Sequence, residues 1–136
     1  MAIDTSFSNL ARREIDDLHL FFQAWYSGGD NTFDLDRVTT VLAPEFELLA
    51  PNDEWITREQ LLDELYEGRG RYPTLMITIE HLGYRPYGTD AASLEYTEQH
   101  VENGQVDKRL CCASLRRARS GSSGIEWVAI YERAGA

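Results

Sequence analysis

The sequence predicts an α+β fold in which helices come first and an antiparallel sheet follows. Apolar residues recur mainly at helical spacing before Pro73, whereas the chain after Pro73 is rich in β-branched residues bounded by turns. The dipeptide Asn103-Gly104 between two such runs is typical of a hairpin. Helices followed by hairpin strands are expected to pack on one face of an antiparallel sheet. The length of 136 residues and the lack of a linker predict one domain over residues 1–136.

Three helices are predicted in the first half of the chain. The first covers about residues 10 to 26, where Ile15, Leu18 and Phe22 form part of one apolar stripe, and Gly28-Gly29 ends it. The segment D-L-D-R-V-T-T-V-L at 34–42 predicts a short second helix that stops before a proline. The third begins at Thr57, because this threonine and Gln60 stand in capping-box positions.

Five strands are predicted around and after these helices. They cover F-E-L-L-A-P at 46–51, L-M-I-T-I-E-H-L at 75–82, and roughly residues 91–102, 105–118 and 125–133, with a flexible loop at 119–124 before the last. If Asn103-Gly104 is a two-residue turn, Glu98 lies opposite Arg109 and Tyr96 opposite Cys111. The pattern of alternation then predicts a Glu98–Arg109 ion pair on the inner face of the sheet.

Composition argues against several classes of protein. The net charge of -10 does not favour nucleic acid as a partner, which needs a basic surface. No run reaches the ~18 apolar residues of a membrane span, and the N-terminus does not resemble a signal peptide, so a cytoplasmic location is expected. Adjacent Cys111 and Cys112 and three scattered histidines do not match metal-ligand spacing, and no nucleotide loop is found. We therefore expect no metal and no cofactor.

Two consecutive stretches carry a family resemblance. They are L-H-L-F-F-Q-A-W-Y-S-G-G-D and L-D-R-V-T-T-V-L-A-P-E-F-E-L-L-A-P-N-D, and the later elements follow in a matching order. Over about residues 10–133 the chain resembles the nuclear transport factor 2-like superfamily, also called cystatin-like. Within it, the chain is most similar to small members of unknown function and to SnoaL/polyketide-cyclase-like proteins. The resemblance implies a cone-shaped, strongly curved sheet around the first helix, with a deep cavity between them.

The superfamily includes ketosteroid isomerases, but their catalytic groups are not found at the corresponding positions. The strand position of their general-base aspartate is Ala50, just before Pro51. Those enzymes also use a tyrosine on the first helix as oxyanion donor, and Phe21 or Phe22 occupies the corresponding turn. Their protonated aspartate would fall near residues 113–114, which are alanine and serine here. Ketosteroid isomerase chemistry is therefore not expected.

The predicted inner face combines aromatic and titratable side chains, as small-molecule sites do. Its candidate ligand-binding residues are Trp25, Tyr26, Tyr96, Arg109, Trp127 and Tyr131. Glu98 and His19 are the candidate acid–base groups, with Glu98 kept ionised by Arg109. His100, one pair nearer the turn, is expected to face solvent.

Three functions remain open at this point. The first is a small-molecule-binding protein for an apolar or aromatic ligand. The second is a cofactor-free lyase, cyclase or isomerase using Glu98 or His19 with Arg109. The third is a structural module that forms a homodimer through the outer face of the sheet, because the predicted outer face carries apolar residues. The residues of this outer face are Glu95, Thr97, Gln99, Leu110, Cys112, Val128 and Ile130.

Overall fold

A computed structural model describes residues 6–28, 34–118 and 124–135. It confirms the α+β prediction. The helices are α1 (Phe7–Ser27), α2 (Asp36–Thr39) and α3 (Arg58–Gly68). The strands are β1 (Leu42–Leu49), β2 (Trp55–Thr57), β3 (Met76–Tyr87), β4 (Ala91–Glu102), β5 (Gln105–Arg117) and β6 (Ile125–Ala134). The loop predicted at 119–124 lies outside the described residues except for Gly124.

All six strands belong to one curled, unclosed sheet with the order β2-β1-β6-β5-β4-β3. Every neighbouring pair is antiparallel except β1 and β6, which run parallel. The sheet is therefore a meander from β3 to β6, and the first strand joins it at the far edge of β6. Its inner face packs against α1 and α3 and forms the hydrophobic core.

Local sequence explains where the helices begin and end. In α1 the side chain of Ser6 accepts a hydrogen bond from the Asn9 amide, and Gly28 ends the helix at φ 71, a left-handed conformation that costs glycine little. The predicted capping box at Thr57 and Gln60 is present at the start of α3. Among the described residues, no helix has the length and apolar character needed to cross a membrane.

The β4–β5 hairpin confirms the predicted register. Asn103 and Gly104 have φ 51 and 78, which suits a two-residue turn that matches the twist of the strands. Glu98 accordingly lies opposite Arg109, Tyr96 opposite Cys111, and His100 opposite Asp107.

Strand β2 was missed, because three residues are too short to show alternation. It pairs with β1 after the turn at 50–54.

A β-bulge in β6 changes which residues face the core. Trp127 pairs with Leu115 and Ala129 with Ser114, so Val128 has no partner in β5. Beyond this extra residue the alternation shifts by one position. Ile130 is buried on the inner face, whereas Tyr131 is 42% exposed. The predictions that Tyr131 points inward and that Ile130 points outward are therefore wrong.

Candidate functional site

A recess of about 490 Å³ lies between α1, α3 and the inner face of the sheet. Helix α1 contributes Leu18, His19, Phe22 and Tyr26, because these positions recur on one face of the helix. Most of the remaining wall is apolar and comes from β1, β2 and α3: Leu42, Phe46, Leu48, Ala50, Ile56, Leu61 and Leu65. Most polar groups collect at the end formed by β4, β5 and β6, namely Glu98, His100, Asp107, Arg109 and Glu132, while Asn52 and Glu64 line the recess elsewhere.

Glu98 is held between two histidines at this polar end. Its carboxylate accepts a hydrogen bond of 2.6 Å from Nε2 of His100, and Nε2 of His19 lies 3.5 Å from the same oxygen. The side chains of Glu98 and His19 are only 6% and 5% exposed. Burial alone would raise the pKa of Glu98, but His19 and His100 outweigh it and hold that pKa well below its usual range.

The contacts of its two ring nitrogens favour the positively charged form of His19. Nδ1 lies 2.7 Å from the carbonyl oxygen of Ile15, which can only accept, so Nδ1 is protonated. Nε2 then needs a second proton to interact favourably with Glu98. Burial opposes that charge, yet Glu98 more than compensates and the pKa of His19 is raised. The geometry and the raised pKa therefore favour the protonated ring, which pairs with Glu98 inside the protein.

Glu132 is a second buried carboxylate at the same end, and sequence reasoning missed it. Its Oε1 accepts a 3.2 Å hydrogen bond from Nη1 of Arg109, and its side chain is 9% exposed. Burial, and then the negative charge of Glu98, raise the pKa of Glu132 to about 7. The two carboxyl groups are thus driven in opposite directions, which is typical of acid–base sites.

Arg109 does not form the predicted ion pair with Glu98. Its Nε donates to Oδ2 of Asp107 at 3.0 Å, and its Nη1 donates to Glu132 at 3.2 Å. The reason is the bulge in β6, which brings Glu132 to the inner face opposite Cys111. His100 is also corrected: its side chain is only 25% exposed, and it contacts Glu98 rather than facing solvent.

Cys111 lies between the two carboxylates. Its Sγ is 3.6 Å from Oε2 of Glu98 and 4.0 Å from Oε2 of Glu132, so these three side chains place potential metal-ligand atoms within 4.8 Å of one another. Burial, followed by the charges of Glu98 and Glu132, raises the pKa of the Cys111 thiol far above its ordinary value. A metal ion would have to displace that proton to bind here.

The candidate aromatic residues separate into three groups. Tyr26 lines the recess, and burial raises the pKa of its hydroxyl to about 12, so the group stays neutral. Trp25, Tyr96 and Trp127 are buried in the core behind the recess wall. Tyr131 lies on the opposite face of the sheet, against Trp55 with ring centroids 6.1 Å apart.

Glu14 is a further buried acid that the sequence pattern did not reveal. It is 4% exposed and receives hydrogen bonds of 2.9 Å from both Arg37 and Nε1 of Trp127. These contacts connect α1, α2 and β6 away from the recess. Glu14 is therefore a satisfied structural carboxylate.

Comparison with known proteins gave no matching family model and no matching curated protein. Solved structures do match. A nuclear transport factor 2-like protein of unknown function from Pseudomonas aeruginosa has a TM-score of 0.85 at 24% identity, covering 93% of this chain and 99% of that one. The chain has the nuclear transport factor 2-like fold.

Two other neighbours show how widely this nuclear transport factor 2-like fold is used. A CaMKII hub from S. rosetta has a TM-score of 0.75 at 13% identity and covers 99% of this chain and 100% of that one. A ketosteroid isomerase-like protein from Erwinia carotovora atroseptica has a TM-score of 0.66 at 13% identity, covering 98% and 99%. At such identities the likeness concerns the fold alone, and function has to be argued from the site.

Proposed function

We propose that this protein binds a small, mainly apolar molecule in the recess, with the polar end of the ligand directed at the cluster of Glu98, His100 and Glu132. The observation that carries the proposal is the division of the recess into an apolar wall and one polar end. Such pockets give affinity through buried apolar area and orientation through a few polar groups. The volume of about 490 Å³ falls within the range of small-molecule sites.

The test is native mass spectrometry of the purified protein, before and after incubation with small aromatic acids, alcohols and enolisable ketones. A matched pair of variants on α3 controls for nonspecific uptake. Leu61 and Leu62 both pack against the core, but only Leu61 lines the recess. Leu61→Trp should abolish uptake, whereas Leu62→Trp should retain it. Uptake that survives Leu61→Trp in a folded protein would place the ligand elsewhere.

A second candidate function is proton transfer on an enolisable ligand. It is favoured by the opposite pKa changes of Glu98 and Glu132, since a carboxyl group that titrates near neutral pH can both take and return a proton. Glu98 is less suited to this role, because its two histidine partners stabilise the ionised form. Exchange of ketone α-protons in D₂O, followed by proton NMR, should fall in Glu132→Gln and persist in Glu47→Gln, an exposed site on β1.

Self-association through the outer face is a third proposal. A row of apolar side chains crosses this face from Trp55 through Leu49 and Tyr131 to Cys112, and both Trp55 and Tyr131 are largely exposed. One structural neighbour is described as a hub, which agrees with assembly through this fold. Sedimentation at decreasing concentration is the test: a monomer at micromolar concentration, unchanged by Tyr131→Asp, would exclude the dimer.

A further inference from the structure

We propose that the ligand is a cation, an alkylammonium group on an apolar body, and that Glu132 is its counter-ion. This inference rests on the proposed function, because it identifies the chemical class that the same recess takes.

The charges lining the recess favour a cation. Among the described residues that line it, the four carboxylates of Glu64, Glu98, Asp107 and Glu132 outnumber the positive groups, Arg109 and the ring of His19. The histidine ring of His19 is already matched to Glu98 at 3.5 Å. A ligand carboxylate entering here would meet net negative charge, whereas an ammonium group would reduce it.

Arg109 is already paired with two carboxylates. Its Nε and Nη2 both contact Oδ2 of Asp107 at 3.0 Å, and Nη1 contacts Glu132. Its side chain is 29% exposed and that of Asp107 is 58% exposed, so part of its charge is screened by water at the rim. A ligand carboxylate at Arg109 would lie beside the two carboxylates already there and be repelled by them.

Of Glu98 and Glu132, the two carboxylates enclosed at the polar end, Glu132 has the weaker charge compensation. Within the described residues its guanidinium partner is shared with Asp107, and its other oxygen lies near the Cys111 thiol at 4.0 Å. The titratable or charged groups around it are His19 on α1, Glu64 on α3, Glu98 and His100 on β4, and Asp107, Arg109 and Cys111 on β5. A buried charge is costly unless it is paired, and an ammonium group in the recess would supply the pair.

A buried hydroxyl without a partner lies close to the polar end of the recess. Tyr96 is fully buried, and within the described part of the chain its hydroxyl has no hydrogen-bond partner. Tyr96 lies on the inner face opposite Cys111, next to His19 with ring centroids 5.6 Å apart. Buried hydroxyls are normally satisfied, so this one, behind the recess wall, is a candidate partner for the polar group of a ligand that reaches it.

The test compares three probes of nearly equal shape by isothermal titration calorimetry: 3-phenylpropylamine, 3-phenylpropanol and 3-phenylpropanoate. At pH 8 the amine should bind at least about tenfold more tightly than the alcohol, and the acid most weakly, since one strong charge-assisted contact contributes on the order of a tenfold change or more. The preference should weaken at pH 6, where Glu132 is more protonated. An amine of this kind stays charged throughout, as a lysine side chain does.

Glu132→Gln should remove the preference for the amine while the alcohol still binds. Glu47→Gln, on an exposed position of β1, is the control that should leave the preference unchanged. Thermal unfolding verifies that both variants are folded. If the alcohol and the amine bind equally, or the acid binds best, the cation proposal is overturned and the proposed function stands. If none of the three probes binds, both fail.

Discussion

The β4–β5 hairpin and strand β6 form neighbouring parts of the same inner face, yet only the hairpin has the side-chain orientation that the sequence predicts. In the hairpin, Asn103 and Gly104 occupy the turn and fix the register, so Glu98 lies opposite Arg109 as expected. In β6 one unpaired residue, Val128, reverses which of the following side chains point inward and which point outward. The comparison shows that a turn with clear chemistry fixes orientation, whereas a bulge can reassign it without a sequence signal.

That difference determines which residues form the candidate site. The hairpin provides Glu98, His100 and Arg109, and the part of β6 beyond the bulge provides Glu132. Without the shift, Tyr131 would point into the recess and Glu132 would face solvent. The most unusual electrostatic feature of the site, two enclosed carboxylates with opposite pKa changes, therefore depends on Val128 remaining unpaired.

The largest expected effect on stability comes from deleting one residue, either in β5 of the hairpin or at the bulge of β6. Deleting Cys112 should prevent folding, because it moves later residues of β5, including the buried Leu115, to the wrong face. Deleting Val128 should cost no more than about 2 kcal/mol, because Trp127 and Ile130 keep their inward orientation once the unpaired residue is gone. Urea unfolding of both variants measures the difference. Equal damage would contradict the assignment of the bulge.

The next largest effect is expected at the hairpin carboxylate. Glu98→Gln leaves the buried His19 without its counter-ion and should reduce the free energy of unfolding at pH 7 by about 3 kcal/mol. Glu95→Gln, three positions earlier on the same strand and exposed, should change it by less than about 0.5 kcal/mol. Chemical denaturation is the measurement, and similar values for the two variants would exclude a buried ion pair at Glu98.

Glu132 should make stability depend on pH in the direction opposite to that of a paired carboxylate. Its pKa in the folded protein is about 7, above the ordinary value of 4.5 that applies to the unfolded chain. Between these pH values the folded state binds more protons, so the contribution of Glu132 is fully present below pH ~4.5 and is lost as pH rises to ~7. The free energy of unfolding of Glu132→Gln, relative to that of the wild type, should rise by about 2 kcal/mol from pH 5 to pH 8. Denaturation at both pH values would reveal this, and an unchanged difference would contradict it.

The smallest effects are expected on the outer face. Tyr131→Ala removes an exposed contact with Trp55 and should cost about 1 kcal/mol, without changing the affinity for any probe of the recess. Tyr26→Ala, which alters the recess wall, should weaken probe binding. Calorimetry on the two variants tests the assignment of faces, and weaker binding in Tyr131→Ala alone would reverse it.

Much of the fold follows from local sequence chemistry. The capping box of α3, the end of α1 at Gly28 and the hairpin turn are each specified by a few residues whose conformational preferences are strong. The position of His19 on the helix face toward the sheet follows from the spacing of its apolar neighbours.

The rest depends on tertiary contacts that a single strand does not encode. The pattern of apolar and polar residues in I-E-W-V-A-I-Y-E fits a regular strand as well as a bulged one. The run also contains no glycine to mark the extra residue. Glu14 looks like a solvent-facing helix acid until Arg37 and Trp127 pack over it. Strand β2 depends on its antiparallel pairing with β1, which its own three residues do not specify.

The most direct test of the site is a carbon-13 NMR titration of the glutamate side-chain carboxyl groups in the folded protein. One resonance should titrate near pH 7 and disappear in Glu132→Gln, because Glu132 is enclosed beside Glu98. If instead every glutamate titrates close to the ordinary value of ~4.3, Glu132 faces solvent and the site proposed for this protein is wrong.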